Sequence, residues 1–245
     1  MSDERGRGGT RLDDVLAGLV AELPGATVLD VGGGSGTRAV PLAALGRRVT
    51  VVDTSADALA ILRRRALDSG VSDAIDGIQA DVQAMGSVVP AGSWDLVICH
   101  HLLETVDDPA AAAAALAAVV RPGGLLSVLV AGRYAAVLAQ SVAGRFDEAA
   151  AILGDPDGRF GDTDPLARRF DATGISELLQ STGLSVEQVT GIGVVSGVVS
   201  GAVHRSGPGA AANSAALDEL EERLTAHPVL LELGADLHVL ARRPG

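Results

Sequence analysis

Apolar positions along this chain change period from segment to segment. Leu12, Val15, Leu16, Leu19, Val20 and Leu23 recur every three or four residues and predict a helix over 12–23, stopped by Pro24-Gly25. Residues 27–31 (TVLDV), 49–53 (VTVVD), 94–100 (WDLVICH) and 124–131 (GLLSVLVA) are short, nearly continuous apolar runs. Such runs read as strands covered on both faces. A weaker strand over 75–80 ends at Asp81. Helical spacing fills the gaps at about 37–45, 55–70 and 109–119, the second with a Ser N-cap and a Gly stop. Strand–helix alternation predicts an α/β doubly wound, mostly parallel sheet with right-handed crossovers. Its ligand sites lie beyond the carboxyl ends of the strands.

The second half is less regular. The pattern predicts a helix over 132–153, a turn-rich loop over 154–171, a helix over 174–182 and a strand over 184–195. A Gly/Ser-rich stretch, SGVVSGAVHRSGPGAAANS, reads as a mobile connector or lid. A helix over 214–226 and a strand over 235–242 close the chain. There are no repeats and no second core, so residues 1–245 read as one domain: a helical cap (1–25), a ligand-binding half (26–131) and a second half with lid-like insertions (132–245).

Charge narrows the partners. The formal net charge is -12, which repels a phosphate backbone unless basic residues cluster locally. All 19 basic residues are arginine, and the densest run, Arg63-Arg64-Arg65, lies on a helix as a solvated face. The chain has one Trp, one Tyr and three Phe, too few for a row of base-stacking platforms. Nucleic acid is therefore disfavoured as a partner. The single cysteine, Cys99, excludes an internal disulfide and a multi-cysteine metal site; it sits in a buried strand as packing. No metal site is expected. Neither a signal peptide nor a membrane span is expected, and the chain reads as cytoplasmic.

The densest chemical signal is VLDVGGGSGTRAV (28–40), where four glycines fall within five residues directly behind a strand. Glycine there suggests close approach of the backbone to a ligand. A dinucleotide loop would space its glycines G-x-G-x-x-G. Here they fall at Gly32, Gly34 and Gly36, and position 37 is Thr. Asp30 inside the strand would repel a pyrophosphate but suits a ligand carrying a cationic amine. Both features oppose a nicotinamide oxidoreductase.

VLDVGGGSG resembles motif I of the class I S-adenosylmethionine-dependent methyltransferases. VTVVD, QADVQ (79–83), WDLVICHHLLETVDDP (94–109) and RPGGLLSVLV (121–130) follow in family order. The resemblance implies a Rossmann-like, seven-stranded sheet with an antiparallel last strand. It also implies S-adenosylmethionine as cofactor, released as S-adenosylhomocysteine. Residues implied to hold it are Asp30, Gly32, Gly33, Gly34 and Gly36, Asp53 and Thr54 at the ribose, Asp81 and Val82 at the adenine, and His100 near the methionine part. CHHLLETVDDP, RPGGLLSVLV and VAGRFDEA (142–149) are similar to the tRNA 5-carboxymethoxyuridine methyltransferases. That group holds the cofactor carboxylate with an N-terminal arginine, matched by Arg11.

Two departures set the tRNA substrate aside. Where that group is lysine-rich, this chain has ILGDPDGRFGDTD (152–164); where it has polar and basic residues, this chain has VVSGVVSGAV (194–203). Three readings stay open: a methyltransferase for a small or medium, neutral or hydrophobic acceptor; a tRNA wobble-uridine methyltransferase using Arg168 and Arg169; and a methyltransferase-like binder without turnover. His100, His101 and Tyr134 are the candidate catalytic residues, each histidine able to act as a base near neutral pH. Glu104 reads as a brace of the exit loop.

Overall fold

The computed structural model describes residues 4–23, 25–198 and 210–245, with side chains from Leu12 in the first stretch and from residue 215 in the last. Residues 199–209, the centre of the expected connector, and the Arg11 side chain lie outside the described residues.

Helix α1 (Glu4–Glu22) turns Leu12, Leu16 and Val20 inward, each 1% exposed. Strand β1 (Thr27–Val31) follows, with Val28, Leu29 and Val31 fully packed. Helix α2 (Ala39–Ala44), strand β2 (Arg48–Asp53), helix α3 (Ala56–Asp68) and strand β3 (Ile75–Gln79) come next. Ser55 caps α3 by accepting the Ala58 N–H. Strand β4 (Trp94–His100) leads through the exit loop to helix α4 (Pro109–Val119), which Asp108 caps with Pro at its first turn. Strand β5 (Val120–Ala131), helices α5 (Arg133–Val142), α6 (Phe146–Gly154) and α7 (Ala172–Gln180), strand β6 (Ser185–Ile192), helix α8 (Ala210–Thr225) and strand β7 (Asp236–Arg242) complete the chain.

The seven strands form one sheet in the order β3-β2-β1-β4-β5-β7-β6. β1 runs parallel to β2 and to β4, and β2 parallel to β3. The order reverses at β1, so the β1–β4 edge is the switch point where such sheets take ligands. β7 is antiparallel to β5: the Arg243 N–H donates to the Gly124 carbonyl and the Gly132 N–H to that of Ala235.

Two local expectations need correction. The helix expected over 132–153 is two helices, broken at Gly144, whose φ of 75° leaves the helical region. The fifth strand starts at Val120 and not at 124: Pro122 and Gly123 fall within it, Gly123 at a φ of 73° with its N–H donating to the Arg243 carbonyl.

The chain divides into two compact units. One comprises 11–128, 177–187 and 240–245; the other 1–10, 129–176 and 188–239. In the first, Leu16, Val20, Val28, Leu42, Val49, Val51, Leu59, Leu62, Leu96 and Ile98 form one core. In the second, the loop after α6 is folded on itself. Asp155 accepts the N–H groups of Asp157 and Arg159, Arg133 donates to the carbonyls of Asp155 and Pro156, and Asp164 holds Arg169 bidentately. Burial works to raise the Asp164 carboxyl. The Arg169 hydrogen bonds, the N–H groups of Leu166 and Phe160, and the Arg169 charge outweigh it and hold the group below its usual range.

Candidate active site

The glycine loop runs from β1 to α2 with Gly32, Gly34 and Gly36 at φ of 76°, 54° and 77°. Its glycines serve different ends. A Cβ at Gly33 would fall on the Asp30 carboxylate, and one at Gly36 would overlap the fully buried Leu62 side chain. One at Gly34 would meet nothing nearer than Asp53 Oδ2, at 3.7 Å. Gly33 and Gly36 are therefore fixed by packing, whereas Gly34 presents bare backbone to open space. Arg65 straps the loop from α3, donating to Ser35 Oγ at 3.0 Å and Thr37 Oγ1 at 3.2 Å.

The carboxyl ends of β2 and β3 lie on one side of this loop. Asp53 Oδ2 accepts the Gly34 N–H at 2.9 Å and Oδ1 the Ser55 N–H at 2.8 Å. A carboxylate has about four lone-pair positions, so two remain for a ligand. Thr54 is exposed, and its carbonyl accepts the Gln79 amide. Asp81 is exposed and accepts the Gln83 N–H, and Val82 beside it is buried.

Two carboxylates near Cys99 are almost completely buried. Asp30 is 3% exposed, and its Oδ2 has no hydrogen-bond partner among the described residues. Burial pushes its pKa up to about 7, with Asp53 adding to the rise and Arg38 opposing it. Glu104 is 2% exposed, and its Oε2 likewise has no partner among the described residues. Burial raises the Cys99 thiol far above its usual range, and the nearby charges of Glu104 and Asp30 raise it further. Cys99 is packing, not a nucleophile.

β4 ends in the two histidines, which have different surroundings. His100 Nδ1 accepts from Arg38 Nε at 2.7 Å, which obliges that nitrogen to be unprotonated; Nε2 then donates to Ser127 Oγ at 2.9 Å. Both ring nitrogens of His100 are thus engaged within the protein. Arg38 also pairs with Asp13 at 3.6 Å. His101 is the one non-glycine residue with positive φ (57°) among the described residues. That conformation costs on the order of 1–3 kcal/mol, least for residues such as His that tolerate it. Its Nδ1 lies 2.8 Å from Glu104 Oε1. Leu103 is fully buried and anchors the exit loop, and Leu102 packs 3.4 Å from where a Gly32 Cβ would lie. Tyr134, the second residue of α5, is partly buried in the other compact unit.

These features form one row along the carboxyl ends of β3, β2, β1 and β4: Asp81, Asp53, the glycine loop and the histidines. A family model described as a methyltransferase domain matches residues 29–128, the segment that carries them. The tRNA 5-carboxymethoxyuridine methyltransferase of Escherichia coli O157:H7 is 32% identical over 233 residues, covering 95% of this chain and 85% of that protein. The chain belongs to the class I S-adenosylmethionine-dependent methyltransferases. The ubiquinone biosynthesis O-methyltransferase of Xanthomonas campestris pv. campestris (strain B100) is 38% identical over 134 residues. That match spans 55% of this chain and 54% of that protein, so this methyltransferase covers about half the length of such relatives. Among solved structures, magnesium protoporphyrin IX methyltransferase of Synechocystis PCC 6803 with bound SAH superposes with a TM-score of 0.62 at 20% identity, over 96% of this chain and 84% of that one. S-adenosylmethionine is the methyl donor of this methyltransferase.

Three participants were not legible as site residues from the sequence: Arg38, Ser127 and Arg65. Arg38 carried a faint signal, being two residues past the last loop glycine. In this methyltransferase Gly34→Ala is expected to lower the melting temperature by a few degrees, since left-handed strain costs about 1–2 kcal/mol. Its affinity for S-adenosylhomocysteine should fall at least tenfold. Unchanged affinity by equilibrium dialysis would show that the bare face of Gly34 is not a binding face.

Proposed function

We propose that the glycine loop and the strand ends beside it hold S-adenosylmethionine, and that the acceptor is a small, neutral or hydrophobic molecule. The donor set fits the cofactor. Asp53 retains two lone-pair positions for a vicinal pair of ribose hydroxyls. Asp30 supplies a buried carboxylate whose unpartnered oxygen suits the cationic ammonium of the methionine part. Asp81 and Val82 offer one polar and one apolar contact to an adenine, with Thr54 at the rim of the ribose site. Gly34 lets the backbone come close, Gly32, Gly33 and Gly36 hold the course of the loop around it, and His100, fixed by Arg38 and Ser127, shapes the methionine end. Arg11 remains the proposed partner of the cofactor carboxylate. When bound, the cofactor supplies a sulfonium-activated methyl group. The protein's part is to align an acceptor with it and exclude water, effects worth on the order of 7–11 kcal/mol in favourable cases.

The state of the arginines carries the acceptor reading. The Arg168 and Arg169 side chains are 11% and 8% exposed, facing Asp157 and Asp164. Arg133 is spent on backbone carbonyls. The arginines that would hold a tRNA are thus inside the loop after α6, structuring it. A solvated cation releases counterions from a phosphate backbone; a buried, neutralised one does not. A cytoplasmic setting accords with this reading, and among the described residues no helix is long and apolar enough to cross a membrane. The match to the tRNA enzyme over 95% of the chain favours the second reading, a wobble-uridine acceptor.

One assay separates them. The protein is incubated with tritiated S-adenosylmethionine, unmethylated bulk tRNA and a panel of small acceptors. Label is expected in the small molecules and not in tRNA. Label in tRNA at a rate that falls steeply with salt would overturn the small-acceptor reading.

A further inference from the structure

Arg38 follows the glycine loop as the residue before α2, and its side chain is 17% exposed. Groups from three other elements of the same compact unit act on it. Its Nε donates to His100 Nδ1 at 2.7 Å, and His100 is held in turn by Ser127. Its charge reaches the buried Asp30 carboxyl, whose Oδ2 has no hydrogen-bond partner among the described residues. Its NH1 faces Asp13 of α1 at 3.6 Å, an ion pair too long for a hydrogen bond. A guanidinium carries further N–H donors on both terminal nitrogens. Among the described residues neither of these nitrogens is hydrogen-bonded, and Asp13 is their one ion-pair partner. Pinned at Nε, the planar fork has little freedom to turn, so its terminal N–H groups are set in direction beforehand.

The Asp13 contact is weak. Asp13 is 47% exposed at its side chain, and pairs open to water contribute little. Its carboxyl stands above its ordinary range, because burial raises it more than Arg38 lowers it, and Asp14 adds to the rise. The site therefore holds a carboxylate with an open acceptor, Asp30, and a guanidinium with open donors whose charge Asp30 feels. That combination is complementary to an α-amino acid zwitterion, whose ammonium and carboxylate sit on one carbon.

We propose that Arg38 takes the α-carboxylate of the methionine part of the cofactor, and that Asp13 occupies the guanidinium until the cofactor displaces it. The proposal rests on the cofactor reading of this site and adds a residue that the family resemblance does not name. An arginine fork matches a carboxylate bidentately, with shorter and stronger bonds than the Asp13 contact offers. The exchange replaces one guanidinium–carboxylate pair with another and leaves Asp13, already half open to water, to be solvated. Asp30 and Arg38 together then meet a zwitterion without net charge, so no unpaired charge is added to the buried end of the site.

The experiment is a calorimetric titration of the full chain, Arg38→Gln and Asp13→Asn with two ligands. One is S-adenosylhomocysteine; the other is its decarboxylated analogue, which keeps the amine and lacks the carboxylate. The wild-type protein is expected to prefer S-adenosylhomocysteine by roughly tenfold or more, as for a hydrogen bond to a charged group. In Arg38→Gln both affinities should fall, because the Arg38 charge also favours an ionised Asp30. The ratio of the two affinities is the readout, and it should shrink about tenfold. Asp13→Asn should bind S-adenosylhomocysteine about two- to fivefold more tightly, the worth of a half-exposed ion pair, and the analogue no better. A ratio unchanged in Arg38→Gln would leave the carboxylate to Arg11 and overturn the proposal. An equal loss for both ligands gives that same unchanged ratio and would reduce Arg38 to a support of His100. Unchanged or weaker binding of S-adenosylhomocysteine by Asp13→Asn would overturn the exchange, and it decides the matter even where Arg38→Gln does not fold. Binding of both ligands with equal affinity by the wild-type protein would overturn this proposal alone, whereas binding of neither would overturn the cofactor assignment and the proposal with it.

Discussion

Asp30→Asn is expected to make the ligand-free protein more stable and a poorer binder of S-adenosylmethionine. The carboxyl is buried, and its pKa stands at about 7 against an ordinary value of 3.8. Across that window the folded state keeps a proton that the unfolded chain has released. The unfolded state therefore binds fewer protons, and this group makes stability fall as pH rises from about 4 to about 7, then level off. Asparagine removes the titration and retains the shape. The gain above pH 7 is at most about 4 kcal/mol at 1.36 kcal/mol per unit, with no gain near pH 4. Denaturant melts of both proteins at pH 4 and pH 8 give this difference directly. Binding should move the other way. An ammonium drawn to Asp30 needs it ionised, so wild-type affinity should fall as pH drops below about 7, and the variant should bind weakly at every pH. Equal stability at pH 8 would mean that Asp30 is ionised without cost, and the role of its unpartnered oxygen would have to be reassigned.

The second large effect is expected at Asp53. Its two oxygens already order the Gly34 and Ser55 N–H groups. Two further hydrogen bonds from ribose hydroxyls to a charged acceptor are worth about 1.5–3 kcal/mol each. Asp53→Ala removes these and also frees the Gly34 N–H from its fixed direction. A loss of at least 10²-fold in affinity for tritiated S-adenosylmethionine follows, read by equilibrium dialysis. The melting temperature should change by only a few degrees, because Asp53 sits at a strand end and not in the core. Retained affinity would remove the ribose assignment, whereas loss of the folded transition would show that Asp53 is structural.

The parallel half of the sheet was legible because β1, β2 and β4 are buried on both faces and so read as apolar runs. The start of β5 was hidden by Pro122-Gly123, residues that locally signal a turn and that a strand tolerates near its first residues. The break between α5 and α6 was hidden because one glycine in an alanine-rich stretch barely changes the periodicity. The site divides in the same way. Gly32, Gly33, Gly34, Gly36 and Asp53 are neighbours of a strand end, so sequence order places them. The partners of His100 come from the residue before α2 and from β5, and only the folded sheet brings Arg38 and Ser127 to the same ring. Arg168 and Arg169 looked like free charge because nothing local declares that Asp157 and Asp164 fold back on them.

The most direct test of the central claim is a calorimetric titration of the purified protein with S-adenosylhomocysteine and with NAD. The expected result is micromolar binding of the first at one site per chain and no heat from the second. Binding of NAD, or silence from S-adenosylhomocysteine, would contradict the assignment of the glycine loop to the methyl donor.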